Sequence, residues 1–135
     1  MDLALAPSAS LFGTQFALLM DFLRGETNAS PILSPKRFTQ ALNIDVQTLA
    51  TQAHVHRNTI NRAPQAESVQ RFLREAVRVL RAATDVNKDV ATAIFWYRNE
   101  PLPAFAYKTA EQLVVDGRSE DVLRYVASLE AGAAG

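Results

Sequence analysis

The stretch Trp96–Gly117, WYRNEPLPAFAYKTAEQLVVDG, is the least generic part of this chain of 135 residues. It predicts a helix that ends in aromatic residues, an extended connector in which two prolines exclude helix, and a short helix that stops at Gly117. Leu102 and Phe105 are the expected anchors of the connector. Because the stretch carries no pattern of catalytic chemistry, it predicts a shaped binding surface rather than an active site.

The sequence after the connector predicts two further helices. Thr109 is an expected N-cap, with Gln112 at the capping-box position of the first helix. Ser119 is the expected cap of the last helix, whose apolar face consists of Val122, Leu123, Val126 and Leu129. Residues 132–135 are expected to form a small, flexible tail.

The clearest helical pattern of the chain lies upstream, between Ala66 and Thr84, where apolar residues repeat with the helical period. The opposite side carries four arginines, Arg71, Arg74, Arg78 and Arg81, which form a basic ridge. This ridge is either a solvated face or a surface for DNA phosphates or an acidic partner. Residues 85–87 are expected to break the helix before another runs from Asp89 to Arg98. Phe95 and Trp96 lie off the apolar stripe of that second helix.

Asp45–Ala63, DVQTLATQAHVHRNTINRA, predicts two short helices joined by a tight turn. The pattern resembles the helix-turn-helix of the Xre/Cro repressor class. Ala50 is the small residue that lets the helices approach, and Val55 and Ile60 are the apolar anchors. The exposed side chains left to contact DNA are His56, Arg57, Asn58, Thr59, Asn61 and Arg62. A plain helix hairpin inside an all-α bundle is the alternative.

His54 and His56 lie at the turn of this pattern and invite a metal-binding interpretation. Two histidines at i and i+2 do not face one way on a helix, and no third ligand is spaced nearby, so we expect no metal site. His54 stands where the pattern usually has glycine, a position that needs a left-handed backbone; histidine is among the other residues enriched there.

The N-terminal part of the chain predicts two more helices. Ser34-Pro35 is an expected N-cap and first helical residue of a helix that runs to Leu42 and stops at Asn43. Residues 11–23 predict a helix that is apolar in nearly every direction and must therefore be covered on more than one side. It is either a central core helix or a contact with a second subunit, through Phe12, Phe16, Leu19 and Phe22.

Composition limits the class of protein. The chain is 48% hydrophobic and has no cysteines, which predicts a folded core without disulfides and suits a cytoplasmic location. No signal peptide or membrane span is expected. The net charge of zero divides into −2 for residues 1–33, +5 for residues 34–98 and −3 for residues 99–135. A basic middle between acidic ends indicates that the middle meets an anion.

These patterns predict an all-α protein in three parts. Residues 1–33 form an N-terminal tail and apolar helix, residues 34–84 contain the helix-turn-helix pattern and the long helix, and residues 85–135 form a compact C-terminal helical domain.

The C-terminal part, from Trp96 to Gly132, resembles the toxin-binding domain of the Xre/MbcA/ParS antitoxins. The resemblance rests on Trp96, Asn99, Pro101 to Phe105, Lys108 to Ala110, Leu113-Val114, Gly117-Arg118, Val122-Leu123, Tyr125 and Glu130 to Gly132. The family often has two glycines where this chain has Ala106-Tyr107.

The resemblance implies an antitoxin of a type II toxin–antitoxin pair that is not itself an enzyme and has no cofactor. It implies that the chain dimerises, binds its own operator DNA, and covers the active site of a RES-domain toxin that consumes NAD or transfers ADP-ribose. The expected toxin contacts are Trp96, Asn99, Phe105, Tyr107, Lys108, Arg118, Tyr125 and Glu130.

The acidic residues of the C-terminal part, Glu111, Asp116, Glu120, Asp121 and Glu130, are expected to compete for cationic groups in such a toxin. Three alternatives are a stand-alone helix-turn-helix regulator with a C-terminal ligand or dimerisation domain, an enzyme, and a purely structural bundle.

Overall fold

Eight α-helices account for most of the residues that this computed structural model describes, which are 15–25 and 31–134. They are α1 (Phe16–Arg24), α2 (Pro35–Leu42), α3 (Val46–Ala53), α4 (Arg57–Arg62), α5 (Glu67–Asn87), α6 (Val90–Asn99), α7 (Ala110–Val115) and α8 (Ser119–Ala134). The described residues form no strand, and their one isolated β-bridge joins Leu102 to Lys108. The chain is thus mostly helical, as its periodicity predicts.

Local sequence signals set the bounds of α2 and α3. The Ser34 hydroxyl accepts a hydrogen bond from the Arg37 amide at 3.1 Å, and Asn43 ends α2 in the left-handed conformation with φ 58°. The Asp45 carboxylate caps α3 by accepting from the Thr48 amide at 2.7 Å. These three predicted boundaries are confirmed.

Side-chain caps also set the starts of α6 and α7. Asp89 caps α6 through the Thr92 amide at 2.8 Å. Thr109 and Gln112 form the predicted capping box of α7. Gly117, with φ 80°, follows α7 in the left-handed region that glycine tolerates best.

Three predicted ends of helices are wrong. α5 continues through residues 85–87 to Asn87 and is followed by Lys88, which has φ 64°. The helix continues because Val86 still packs against the core, which outweighs the weak helix preference of its neighbours. Ser119 is the first residue of α8 rather than its cap, since its hydroxyl donates to the Glu75 carboxylate on α5. The expected flexible tail is helical as far as Ala134.

α5 lies at the centre of the fold and packs against α2, α3, α6, α7 and α8. The buried side chains form one cluster that runs from Leu19 to Val126 and includes Tyr97, the largest fully buried side chain. Burial raises the pKa of the Tyr97 hydroxyl, so it stays neutral. Residues on both sides of the predicted domain boundary at 84/85 belong to this cluster, and the boundary itself stays a prediction.

α1 buries one face in its own chain. Leu19 and Leu23 are 0% and 1% exposed, so the prediction that Leu19 contacts a second subunit is wrong. Phe16 and Phe22 are half-buried, beside the guanidinium groups of Arg81 and Arg37 respectively. Phe12, the fourth predicted dimer contact, lies outside the described residues.

No helix within the described part of the chain is long and apolar enough to cross a membrane.

Candidate functional site

The turn between α3 and α4 has the backbone that the sequence predicts. His54 adopts φ 60°, and the Val55 amide donates to the Ala50 carbonyl at 3.0 Å. Ala50 is fully buried, so the two helices approach closely there. The His54 ring donates from Nε2 to the Val115 carbonyl at 2.9 Å, which attaches the turn to α7.

α4 presents most of its polar side chains to solvent. Ile60 alone among the α4 residues is buried, at 4% exposed. His56, Arg57, Asn58, Asn61 and Arg62 are exposed, and Thr59 is half-buried. The His56 ring accepts from the Asn58 amide through Nδ1 at 3.0 Å and thereby caps α4. No group of three potential metal ligands occurs among the described residues.

The arginine ridge of α5 is largely compensated by carboxylates. Arg74 lies 2.6 Å from the Glu67 carboxylate. Arg78 lies 3.0 Å from Glu75 and 2.9 Å from Glu120 of α8. Exposed pairs of this kind add little stability, but they reduce the net charge of the ridge. The ridge therefore offers an anion much less charge than four free arginines would.

The connector between α6 and α7 is a closed loop, so the predicted extended path is wrong. The Leu102 amide donates to the Lys108 carbonyl at 3.0 Å, and the Tyr107 amide donates to the Leu102 carbonyl at 2.9 Å. A 3-10 turn at Pro103–Phe105 lies between them, because proline fits the first position of a helical turn. Ala106 and Tyr107 follow with φ 57° and 67°. Leu102 is buried, as its predicted role of anchor requires.

The loop is fixed to the start of α8. Phe105 packs edge-on against Tyr125 with ring centroids 5.7 Å apart. The Arg118 guanidinium lies 5.3 Å from the Phe105 ring centroid, and the Lys108 ammonium lies 2.7 Å from the Asp116 carboxylate. The structure thus brings these predicted contact residues together, with Phe105 and Tyr125 half-buried against each other.

Two aromatic side chains of this region project into solvent. Tyr107 is 68% exposed and Phe95 is 65% exposed. Phe95 is not among the predicted toxin contacts. Its position outside the apolar stripe of α6 is the sequence signal that indicates an exposed side chain. Asn99, one turn later on α6, is also exposed, and its amide donates to the Phe95 carbonyl at 3.1 Å.

Trp96 contributes more to packing than to the surface. It is half-buried in a crevice between α5 and α8 whose other walls include Ala83, Val86, Val126 and Leu129. Part of this side chain is therefore covered by its own chain.

The predicted acidic surface is mostly neutralised by cations of the same chain. Glu111 is 7% exposed and lies 3.1 Å from Arg98. Hydrogen bonds from Arg118 and Arg124 hold the pKa of the Asp121 carboxyl below its ordinary value. Asp116 and Glu120 are also paired, so four of the five carboxylates already have a cation of their own chain. The expectation that they compete for a partner's cations stays a prediction. Glu130 remains exposed and has no ion pair within the described residues.

A cavity of about 390 Å³ opens where α3, α5 and α7 meet. Its walls are Ala53, His54, Ser68, Arg71, Phe72, Glu75, Val114, Val115 and Gly117. The cavity combines an apolar floor with charged groups at its edge, a composition that can hold a small molecule.

No family model matches this chain, and the comparisons with curated proteins and with solved structures give no match either.

Proposed function

We propose that this protein is the antitoxin of a type II toxin–antitoxin pair. In this proposal the C-terminal part binds and covers the active site of a RES-domain toxin that consumes NAD or transfers ADP-ribose. A dimer of the chain binds operator DNA through the α3–α4 helix-turn-helix. Any enzymatic chemistry then belongs to the toxin.

The observation that carries the proposal is the pair of consecutive left-handed residues in the connector loop. Ala106 and Tyr107 have φ 57° and 67°, and the antitoxin family that the C-terminal part resembles often has two glycines there. Glycine adopts positive φ at no steric cost, whereas alanine and tyrosine do so rarely. The backbone of this loop is thus the one that a pair of glycines would suit, which supports the resemblance independently of the side chains.

The DNA-binding part of the proposal is supported by the free polar side chains of α4. The side chains of Arg57 and Arg62 are exposed and make no ion pair or hydrogen bond within the described residues. Arginine and asparagine are the residue types that read guanine and adenine edges in the major groove. One six-residue helix makes few base contacts, so a dimer on two half-sites is expected.

The toxin-binding part of the proposal is supported by the exposed rings of Phe95 and Tyr107. Large aromatic side chains commonly carry much of the binding energy of protein interfaces. The α6–α7 loop is closed by backbone hydrogen bonds and fixed to α8 through Phe105. The backbone at Tyr107 is therefore already ordered, and less conformational entropy is lost when a partner binds.

The proposal is tested by co-expressing the chain with the product of the adjacent gene. We expect the tagged chain to capture that product and to rescue growth from its toxicity. The double variant Phe95→Ser/Tyr107→Ser should lower the affinity about 100-fold, as loss of two interface hot spots would. The control Ile32→Ser, at a 38% exposed position before α2 and outside the C-terminal part, should behave as wild type. Lack of both capture and rescue by the wild-type chain would refute the antitoxin proposal.

A stand-alone transcriptional regulator is the second candidate, and the cavity of about 390 Å³ between α3, α5 and α7 favours it. His54 lies at this cavity and immediately precedes the segment that caps α4, so a ligand bound there could alter the DNA-binding helix. In the same co-expression experiment, this candidate predicts DNA binding by the chain without capture of a neighbouring protein.

A further inference from the structure

A cleft of about 210 Å³ separates the start of α2 from α4. It is lined by Ser34, Pro35, Lys36, Val46, Ile60, Asn61 and Pro64. Lys36 and Asn61 are both exposed, and they supply an ammonium group from the α2 side and an amide from the α4 side. Both groups donate hydrogen bonds, and a phosphate oxygen accepts them.

The two sides of the cleft are held together by one buried side chain. Gln70 of α5 is 2% exposed. Its Oε1 accepts from the Leu33 amide at 2.9 Å, and its Nε2 donates to the Leu33 carbonyl and to the Pro64 carbonyl, each at 2.8 Å. Leu33 lies just before α2 and Pro64 just after α4. The backbone segments that lead into α2 and out of α4 are therefore held together before any ligand binds, which reduces the entropy cost of binding.

The helices on both sides of this cleft carry cations without a carboxylate partner. Seven of the Lys and Arg side chains pair with carboxylates: Arg71, Arg74, Arg78, Arg98, Lys108, Arg118 and Arg124. The other seven have no such partner in the described part of the chain: Arg24, Lys36, Arg37, Arg57, Arg62, Arg81 and Lys88. Four of these seven, Lys36, Arg37, Arg57 and Arg62, belong to α2 and α4. Asp45 is the nearby acid, at the start of α3, and its carboxylate accepts from the Thr48 amide rather than from a cation. The surface of α2 and α4 thus keeps a net positive charge.

We propose that this cleft binds a phosphate of the DNA backbone, with the Lys36 ammonium and the Asn61 amide as its donors. The inference rests on the proposed DNA binding and assigns a new contact, Lys36, outside the helix-turn-helix. It also divides α4 by role. Asn61 positions the protein on the phosphate backbone, and Arg57 and Asn58, at the first turn of α4, are left to read bases.

The test compares Lys36→Gln with Lys88→Gln in the full chain. Both lysines are exposed and unpaired among the described residues, and both variants lose one positive charge, but Lys88 lies at the opposite end of α5. Binding is measured by fluorescence anisotropy over a range of NaCl concentrations. The probes are a 40-bp duplex from the region directly upstream of the coding sequence and a shuffled duplex of the same composition.

Lys36→Gln should weaken binding to both duplexes by about five-fold near 0.1 M NaCl, and should reduce the slope of log K against log [NaCl] by about 0.9 for each bound copy. Lys88→Gln should leave both values unchanged. Asn61→Ala should weaken both duplexes equally without changing the slope, because no charge is lost.

If wild type binds DNA and Lys36→Gln behaves like Lys88→Gln, the phosphate cleft is wrong and the proposed DNA binding stands. If Asn61→Ala instead abolishes the preference for the upstream duplex, Asn61 reads a base and the division of roles is wrong. If wild type binds neither duplex, the proposed DNA binding fails and the cleft fails with it.

Discussion

Ala106 and Tyr107 show how a short segment can keep a backbone that its side chains disfavour. A left-handed conformation costs a residue with a Cβ about 1–2 kcal/mol. The loop offsets this cost through the backbone hydrogen bonds between Leu102 and both Tyr107 and Lys108. The burial of Leu102 and the packing of Phe105 against Tyr125 hold both ends of the turn. The surrounding contacts therefore determine the conformation of these two residues.

Ala106→Gly should stabilise the protein. Relief of the left-handed strain gains about 1–2 kcal/mol, and the greater freedom of glycine in the unfolded chain costs about 0.4–1 kcal/mol. The net gain of about 0.5–1 kcal/mol should raise the melting temperature by about 2–4 °C, measured by circular dichroism. Ala104→Gly is the control, because Ala104 is also exposed but has no positive φ; this variant should lower the melting temperature. A lower value for Ala106→Gly as well would show that residue 106 is not left-handed in solution.

At the scale of single helices, two aspartates that cap helix starts make the stability of the fold depend on pH. Hydrogen bonds from the Thr48 backbone and side chain lower the pKa of Asp45 below its ordinary value of 3.8. Bonds from the Thr92 side chain and backbone do the same for Asp89. A carboxyl whose pKa is lower in the folded state stabilises the fold fully when the pH is above the pKa of the unfolded state. This stabilisation is lost as the pH falls through the pKa of the folded state.

The double variant Asp45→Asn/Asp89→Asn should therefore melt at a lower temperature than wild type at pH 7. Asparagine still caps a helix but carries no charge for the helix dipole. The difference should shrink as the pH falls below 3.8 and through the lower pKa of the folded state, as thermal melts at decreasing pH would measure. Asp85→Asn is the control, because Asp85 lies in the last turn of α5, where a negative charge is unfavourable. A difference for the double variant that stays constant with pH would contradict the charged-cap explanation.

Helix starts and stops were predictable where their partners are a few residues away. Ser34, Asp45 and Thr109 bond to amides three residues on, and such bonds follow from spacing alone. The role of Ser119 was not predictable, because its partner Glu75 is 44 residues distant. The continuation of α5 beyond Thr84 likewise depends on the packing of Val86, which no local pattern contains.

At the scale of the whole molecule, long-range pairing changed the expected charge pattern. The sequence places positive charge in the middle and negative charge at the C-terminal end. In the folded chain, Arg98 meets Glu111 and Arg78 meets Glu120 across that division. The exposed face of α4 was predictable because it follows from helical period. The pairing of Glu111 and Glu120 with arginines of other helices was not, since it requires knowing which helices are neighbours.

We expect the predicted dimer to form through a specific side chain on α1. Leu19 and Leu23 face the core of their own chain, while Leu18 is 45% exposed on the other side of the helix. An exposed leucine beside the half-buried Phe22 suits an apolar contact with a second copy. Leu18→Glu should therefore convert a dimer to a monomer, because each copy would bring an unpaired carboxylate into the contact. Light scattering coupled to size-exclusion chromatography measures the mass.

Leu129→Glu is the matched control for this prediction, at a leucine 39% exposed on α8, and it should remain dimeric. A Leu18→Glu variant that keeps the mass of two copies would exclude this face of α1 as the contact. If the wild-type protein is a monomer, the predicted dimer is wrong. Binding to two DNA half-sites would then require the DNA or the partner protein to bring a second copy alongside. The oligomeric state of the protein thus determines how many α4 helices can bind one operator.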